Sequence, residues 1–328
     1  MLKLLLTHTP HMRRHYYGDR ALAGLSDLVE VRLHEQEEPL GAADLIAAAK
    51  DADIILADRN TPGPAEIFAA LPGLKAMLRC AVDIRNIDVE AASAAGVLVT
   101  RATPGFVASV CELALGYLVD LSRGVGRAAA SYHAGNVPTA IMGRQLAGST
   151  LGIIGYGAIG RQMAPLGLAL GMKILVTDPY ATVEDARLAQ VSLDDLLTQS
   201  DYVLCLAVAN EATENLMNAA AFARMKPSAY FLNLSRGGLV DEAALAEALG
   251  DGTIAGAALD VGRAPDQMPT PDLAKLPNVI ATPHIGGLTP PAIEHQALDT
   301  VEQVRALVRG EIPPGAVNHA RWTRRPSV

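Results

Sequence analysis

Short apolar runs alternate with Ala-rich amphipathic stretches along most of the chain. The runs LKLLLTH, VEVRLH, ADIILAD and LKAMLRC each read as a strand, with helically spaced apolar residues between them. Such alternation predicts βαβ units and parallel sheets. The pattern restarts with strand Leu146–Ile154, helix Ala158–Leu170 and strand Lys173–Thr177. It continues with helix Ser192–Gln199, strand Tyr202–Ala207, helix Ala219–Arg224, strand Ala229–Leu234, helix Asp241–Leu249, strand Ile254–Leu259 and strand Val279–Thr282. Six strands in series with intervening helices predict a complete doubly wound nucleotide-binding sheet. Turn-rich segments at Arg101–Gly105 and Thr282–Pro291 bracket it, and helix Ala292–Val308 is expected to pack on the N-terminal region. The expected fold is α/β, with a domain of residues 102–287 inserted into one made of residues 1–101 and 288–328.

Composition narrows the function. With 328 residues, 50% apolar and 19% charged, the chain has material for two packed domains. A net charge of -8 gives no reason to expect a polyanionic partner, so nucleic acid binding is not expected. Cys80, Cys111 and Cys205 match no metal spacing and no disulfide framework, which predicts buried thiols in a reducing compartment. The N-terminal apolar run is too short for a signal peptide, and a first strand explains it better. The longest apolar stretch, Phe106 to Val119, contains Glu112 and is too short to span a bilayer. A soluble cytoplasmic protein is expected, with no membrane partner. Two readings stand for that apolar helix, dimer contact or core packing, and two for the tail around Trp322, docking on the body or mobility.

The strongest local motif is Gly155-Tyr-Gly157-Ala158-Ile159-Gly160, directly after a strand and opening a helix. Gly155 permits a tight turn, Gly157 lets a pyrophosphate approach the backbone, and Gly160 allows close helix–sheet packing. The helix start at Ala158 and Ile159 supplies N–H donors and partial positive charge for the phosphates. Asp178 ends the next strand, 18 residues after Gly160, where a carboxylate accepts ribose hydroxyls and repels a 2′-phosphate. NAD is favoured over NADP. The bland alternatives are a turn-rich loop for the glycines and a helix cap for Asp178.

Three further segments sharpen this: Asn233-Leu-Ser235-Arg236-Gly237-Gly-Leu-Val-Asp241, Ala257-Ala-Leu-Asp260-Val261, and Thr282-Pro-His284-Ile-Gly286-Gly287. Reducing a 2-keto acid needs a cation for the carboxylate, a proton donor for the forming alkoxide and a hydride source. Arg236 leaves the ligand-binding edge of a sheet and can hold a carboxylate bidentately. An interdomain salt bridge is its alternative role. His284 follows another strand, beside glycines, and an imidazole titrates near neutrality. His8, His11, His15, His34, His133, His295 and His319 lack such a context and are read as exposed or structural.

With the glycine fingerprint, the order and spacing of these segments resemble the D-isomer-specific 2-hydroxyacid dehydrogenases. The resemblance is firm over roughly Asn86 to Gly287. It implies a Rossmann NAD-binding domain inserted into a flavodoxin-like substrate domain, and a homodimer formed by the cofactor domains. It also implies hydride transfer between NAD and a small D-2-hydroxy or 2-keto acid, with His284 as acid/base and Arg236 on the carboxylate. Ser235, Asp260 and Gly286 join the glycine loop and Asp178 as expected cofactor contacts, Asp260 beside the nicotinamide carboxamide. No metal is expected.

The chain departs from the family in three places. The Glu that normally stands five residues after the Asp260 position, and favours the imidazolium of the catalytic His, is Pro265 here. Asp266, one residue on, is the expected substitute partner of His284. The glycine-rich substrate loop reads Ala81-Val82-Asp83-Ile84-Arg85-Asn86-Ile87-Asp88, with Asp83 for a glycine and Arg85 for an acid. The amides of Val82 and Asp83 remain available as donors, while Arg85 serves either a second anionic group of the substrate or an ion pair with Asp83. The His-x-Pro of the adenine-side loop is Leu206-Ala-Val208. The missing Glu motivates two alternatives: a non-catalytic NAD(H)-binding regulator, and a related enzyme acting on formate or phosphonate.

Overall fold

A computed structural model describes residues 1–326; Ser327 and Val328, the end of the expected 288–328 segment, lie outside the described residues. The chain divides into two compact units, one of Met1–Phe106 together with Thr289 and the chain after it, the other of Val107–Leu288.

The first unit is built on strands β1 (Lys3–Leu6), β2 (Glu30–Leu33), β3 (Ile54–Ala57), β4 (Ala76–Arg79) and β5 (Leu98–Arg101). They form an all-parallel sheet in the order β2-β1-β3-β4-β5, the flavodoxin-like winding. β3 and β4 are buried along their whole length, which is why β3 reads as a continuous apolar run rather than an alternating one, while β4 ends on the buried Arg79. Helix Pro290–Val308 supplies Ala297, Val301, Val304 and Leu307 to the core formed with Leu4, Leu56 and Leu78. Trp322 joins that core, its indole Nε1 donating to the Lys75 carbonyl at 3.2 Å, so the tail docks.

The second unit carries β6 (Thr150–Ile154), β7 (Lys173–Thr177), β8 (Leu188–Gln190), β9 (Tyr202–Cys205), β10 (Tyr230–Asn233), β11 (Gly256–Leu259) and β12 (Val279–Ala281). Their order is β12-β11-β10-β9-β6-β7-β8, again all parallel: a Rossmann sheet with one short edge strand beyond the six expected. The expected strand from Leu146 begins only at Thr150, because Gly148 takes φ +83° and turns the chain. Helix Val107–Arg123 buries Val110, Cys111, Ala114, Tyr117 and Leu118 within this unit, so its apolar face is core. Exposed apolar side chains instead follow it, at Tyr132, Val137, Ile141 and Met142. All three cysteines are free and buried, and burial pushes the thiols of Cys80 and Cys205 up to about 12, which keeps them neutral. Among the described residues no helix is long and apolar enough to cross a membrane.

Candidate active site

The C-terminal edge of the second unit's sheet collects most of the residues singled out above. Gly155 to Gly160 follow β6, Asp178 follows β7, Ser235 and Arg236 follow β10, Asp260 follows β11, and His284 and Gly286 follow β12. In doubly wound sheets that edge is where ligands bind.

At the nucleotide end, Gly155 has φ +98°, and a Cβ there would lie 2.7 Å from the backbone nitrogen of Ala207. Only glycine fits both the torsion and the approach. A Cβ on Gly160 would meet the Gly155 carbonyl at 2.4 Å, so the helix packs directly on the turn. A Cβ on Gly157 would meet nothing within 4 Å, which leaves the backbone open to a ligand there. No side chain caps helix Ala158–Ala169, so its first N–H groups point outward for an anion. These features fit a dinucleotide pyrophosphate. Asp178 accepts hydrogen bonds from the amides of Tyr156 (2.7 Å), Tyr180 (2.8 Å) and Ala181 (3.0 Å). Burial raises its carboxyl, but these amides and the nearby Arg161 outweigh that and hold it below the usual carboxylate range. The group is thus an anion at the end of β7. Arg161 stacks over the Tyr156 ring, 4.6 Å from its centroid. Ser235 ties the β10 loop to this end by donating to the Ala207 carbonyl at 2.6 Å.

The turn that carries Arg236 is shaped by Asn233. Buried at the end of β10, it accepts from the Ser235 amide at 3.1 Å and donates to the Arg236 carbonyl at 3.0 Å. Such side-chain mimicry of a backbone turn is what Asn supplies at low cost. The Arg236 guanidinium donates to the Ser235 carbonyl through Nη1 at 2.7 Å.

Asp260 organises the loop after β12. Its Oδ1 accepts from Thr282 Oγ1 (2.6 Å) and the Ile285 amide (2.8 Å), while Oδ2 accepts from the Gly286 amide (2.9 Å). A Cβ on Gly286 would lie 2.8 Å from Oδ2, so a side chain there would press on that carboxylate. Tyr117 hydrogen-bonds Thr282 from the helix behind, and burial pushes its phenol up. His284 sits half-buried within this loop with φ +56°. Its Nδ1 lies 2.9 Å from the main-chain carbonyl oxygen of Asp266. A carbonyl only accepts, so in this contact Nδ1 carries the proton and Nε2 is the basic nitrogen. In this contact Asp266 takes part through its backbone.

Val82, Asp83 and Arg85 belong to the first unit, after β4. Arg85 grips Asp83 through Nε (3.0 and 3.1 Å) and Nη2 (2.6 Å), and its amide donates to the same carboxylate at 3.0 Å. Of the two roles open to Arg85, an ion pair with Asp83 is present. Three residues that shape the site were not singled out from the sequence. Asn233 and Thr282 stand within quoted motifs, whereas Tyr117 gives no local signal.

Comparison with known proteins adds to this geometry. Residues 115–286 match the family described as D-isomer specific 2-hydroxyacid dehydrogenase, NAD binding domain. The chain is 38% identical over 303 residues to D-3-phosphoglycerate dehydrogenase of Mycobacterium tuberculosis, covering 90% of this chain and 56% of that protein. It thus spans about half the length of such relatives. It is 35% identical over 278 residues to hydroxypyruvate reductase of Thermotoga maritima, covering 83% of this chain and 90% of that one. The crystal structure of D-lactate dehydrogenase from Aquifex aeolicus, complexed with NAD and lactic acid, superposes with a TM-score of 0.80 at 27% identity, covering 96% of this chain and 99% of that one.

Proposed function

This chain belongs to the D-isomer-specific 2-hydroxyacid dehydrogenase family, and from that premise we propose that it moves a hydride between NAD(H) and C2 of a small D-2-hydroxy or 2-keto acid. The observation that carries the reading is His284, whose Nδ1 proton is engaged by the Asp266 carbonyl on the same sheet edge as Arg236. NAD(H), when bound, supplies or accepts the hydride. Arg236 holds the substrate carboxylate with its planar fork and polarises the adjacent carbonyl. In reduction His284 acts as the imidazolium: Nε2 gives its proton to the carbonyl oxygen as C2 gains the hydride, leaving the ring neutral with its proton on Nδ1. In oxidation the bare Nε2 takes the hydroxyl proton. Asp266 enters through its main chain, orienting the ring.

On the cofactor side, Gly155, Gly157, Gly160 and the amides of Ala158 and Ile159 cradle the pyrophosphate. Asp178 would take the ribose hydroxyls and Asp260 would lie beside the nicotinamide carboxamide, with Ser235 and Gly286 as further cofactor contacts. In the other unit, Val82, Asp83 and Arg85 bear on substrate choice. A second anionic group on a substrate would have to compete with Asp83 for Arg85. Exposed Tyr132, Val137, Ile141 and Met142 support a homodimer, testable by sedimentation, and three free buried thiols suit the cytoplasm.

The decisive experiment follows loss of NADH absorbance with glyoxylate, hydroxypyruvate, pyruvate and phenylpyruvate. Turnover of any one establishes the reaction. Tight NADH binding without turnover of any would replace it with a cofactor-binding regulator.

A further inference from the structure

Arg263 plays no part in the reaction proposed above, yet it joins the turn after Arg236 to the loop whose Asp266 carbonyl meets His284. Its Nη2 lies 2.7 Å from Glu214 Oε1 and 2.6 Å from Asn215 Oδ1, and 3.1 Å from the carbonyls of both Gly238 and Val240. Its Nε donates to the Val240 carbonyl at 3.2 Å, and its amide donates to Glu242 Oε1 at 2.9 Å. Thr270 Oγ1 donates to the other oxygen of Glu242 at 3.0 Å, closing the far end of the same loop. Three segments are knotted here: the chain around Glu214, the turn just after Arg236, and the loop from Gly262 to Thr270. They touch closely, for a Cβ on Gly237 would lie 2.2 Å from the Gly262 carbonyl.

The backbone around this knot is strained. Among the described residues, the non-glycine positions with positive φ are Asn215 (51°), Asp266 (57°), Gln267 (58°) and His284 (56°). Asn215 touches Arg263, Asp266 and Gln267 lie in the loop that Arg263 begins, and His284 is what that loop touches. Asn, Asp and His visit this region more readily than Gln, but such residues persist only where their surroundings over-determine them.

We propose that Arg263 is a positioning residue for His284. By pinning the Gly262–Thr270 loop to the turn after Arg236, it holds the Asp266 carbonyl on Nδ1, and so fixes the tautomer and aim of the imidazole. The Arg263 and Glu214 side chains are 39% and 50% exposed, so the ion pair itself contributes little. What matters is the fork reaching several acceptors, which a lysine of equal charge cannot reproduce.

The inference rests on His284 being the acid/base group, and its test separates the two claims. The tautomer of His284 is read from the imidazole 15N shifts of histidine-labelled protein, assigned with His284→Gln, in wild type, Arg263→Ala and Arg263→Lys. Keto-acid reduction is measured alongside. Wild type should show one tautomer, with Nδ1 protonated. Both variants should show averaged shifts and a kcat lowered roughly 10- to 100-fold, as small misplacements of a reacting group produce. NADH affinity should be unchanged. Arg263→Lys keeps bulk and charge, so it serves if Arg263→Ala does not fold. A single tautomer and wild-type kcat in the variants would overturn the proposal, as would a lowered melting temperature with unaltered His284 shifts. If wild type turns over no keto acid, the shifts alone decide the positioning role, and the reading of the reaction falls separately.

Discussion

Each of the two sheets places a histidine just past the C-terminal end of a strand, and their surroundings give them opposite chemistry. His8 follows β1 in the first unit and is 3% exposed, tilted against Tyr17 with ring centroids 5.0 Å apart. Its Nδ1 is buried without a hydrogen-bond partner. Burial pushes its imidazole down from 6.5 to about 4; Asp58 opposes this, and Arg13 and Arg79 add to it. It stays neutral at physiological pH. His284 follows β12 in the second unit, half-buried, with a left-handed backbone and its Nδ1 engaged by a carbonyl. Position at a sheet edge is therefore not enough to make a histidine useful. What distinguishes His284 is an Nδ1 held against a carbonyl and a left-handed backbone, the features on which its proposed acid/base role rests.

The comparison predicts its own largest effect. His284→Ala should lower keto-acid reduction by roughly 10²- to 10⁴-fold, the usual share of general acid–base catalysis, with NADH still bound. His8→Gln should leave kcat within error of wild type. Equal losses in the two variants, measured by steady-state kinetics at neutral pH, would erase the distinction. A smaller effect sharpens the account of how the His284 loop is held. Asp260→Asn puts an NH2 group where the carboxylate accepts from Thr282, Ile285 and Gly286. Losing charge-assisted bonds at a buried site should cost about 2–3 kcal/mol of stability to chemical denaturation. It should also weaken turnover, because the loop carries His284. A variant as stable and as active as wild type would show that the loop holds its shape without that carboxylate.

The contrast also explains what a sequence reader can and cannot see. The nucleotide end was legible because its determinants are local. Gly155, Gly157 and Gly160 fall within one strand–turn–helix, and Asp178 ends the next strand. The torsion at Gly155 and the close approach at Gly160 each select glycine by themselves. The His284 end depends on partners far apart in the chain, such as Arg263 with Glu214 at a separation of 49 residues, which no local pattern reports. In place of the missing Glu the sequence offers the Asp266 side chain. The contact seen uses its carbonyl, a group every residue carries and no pattern can single out. Edge strand β8 escaped notice for a simpler reason: it has three residues, of which Ala189 and Gln190 are exposed, so no apolar alternation marks it.

The smallest effect concerns His8, and its sign follows from where the protons go. In the unfolded chain His8 titrates near 6.5, whereas in the folded protein it titrates near 4. Between those values the unfolded state binds a proton that the folded state refuses. Stability should therefore fall as pH drops from about 6.5 toward 4 and stop responding to this group below that. Going from pH 7 to pH 5, the single-site share is about 2 kcal/mol, because each pH unit inside the window is worth about 1.4 kcal/mol. His8→Gln removes the titrating group while keeping a polar side chain of similar reach. Its urea-unfolding free energy should lose correspondingly less between pH 7 and pH 5 than that of wild type. Parallel losses in the two proteins would mean that His8 is not held neutral by its burial. The contrast between His8 and His284 would then have to rest on tautomer and backbone alone.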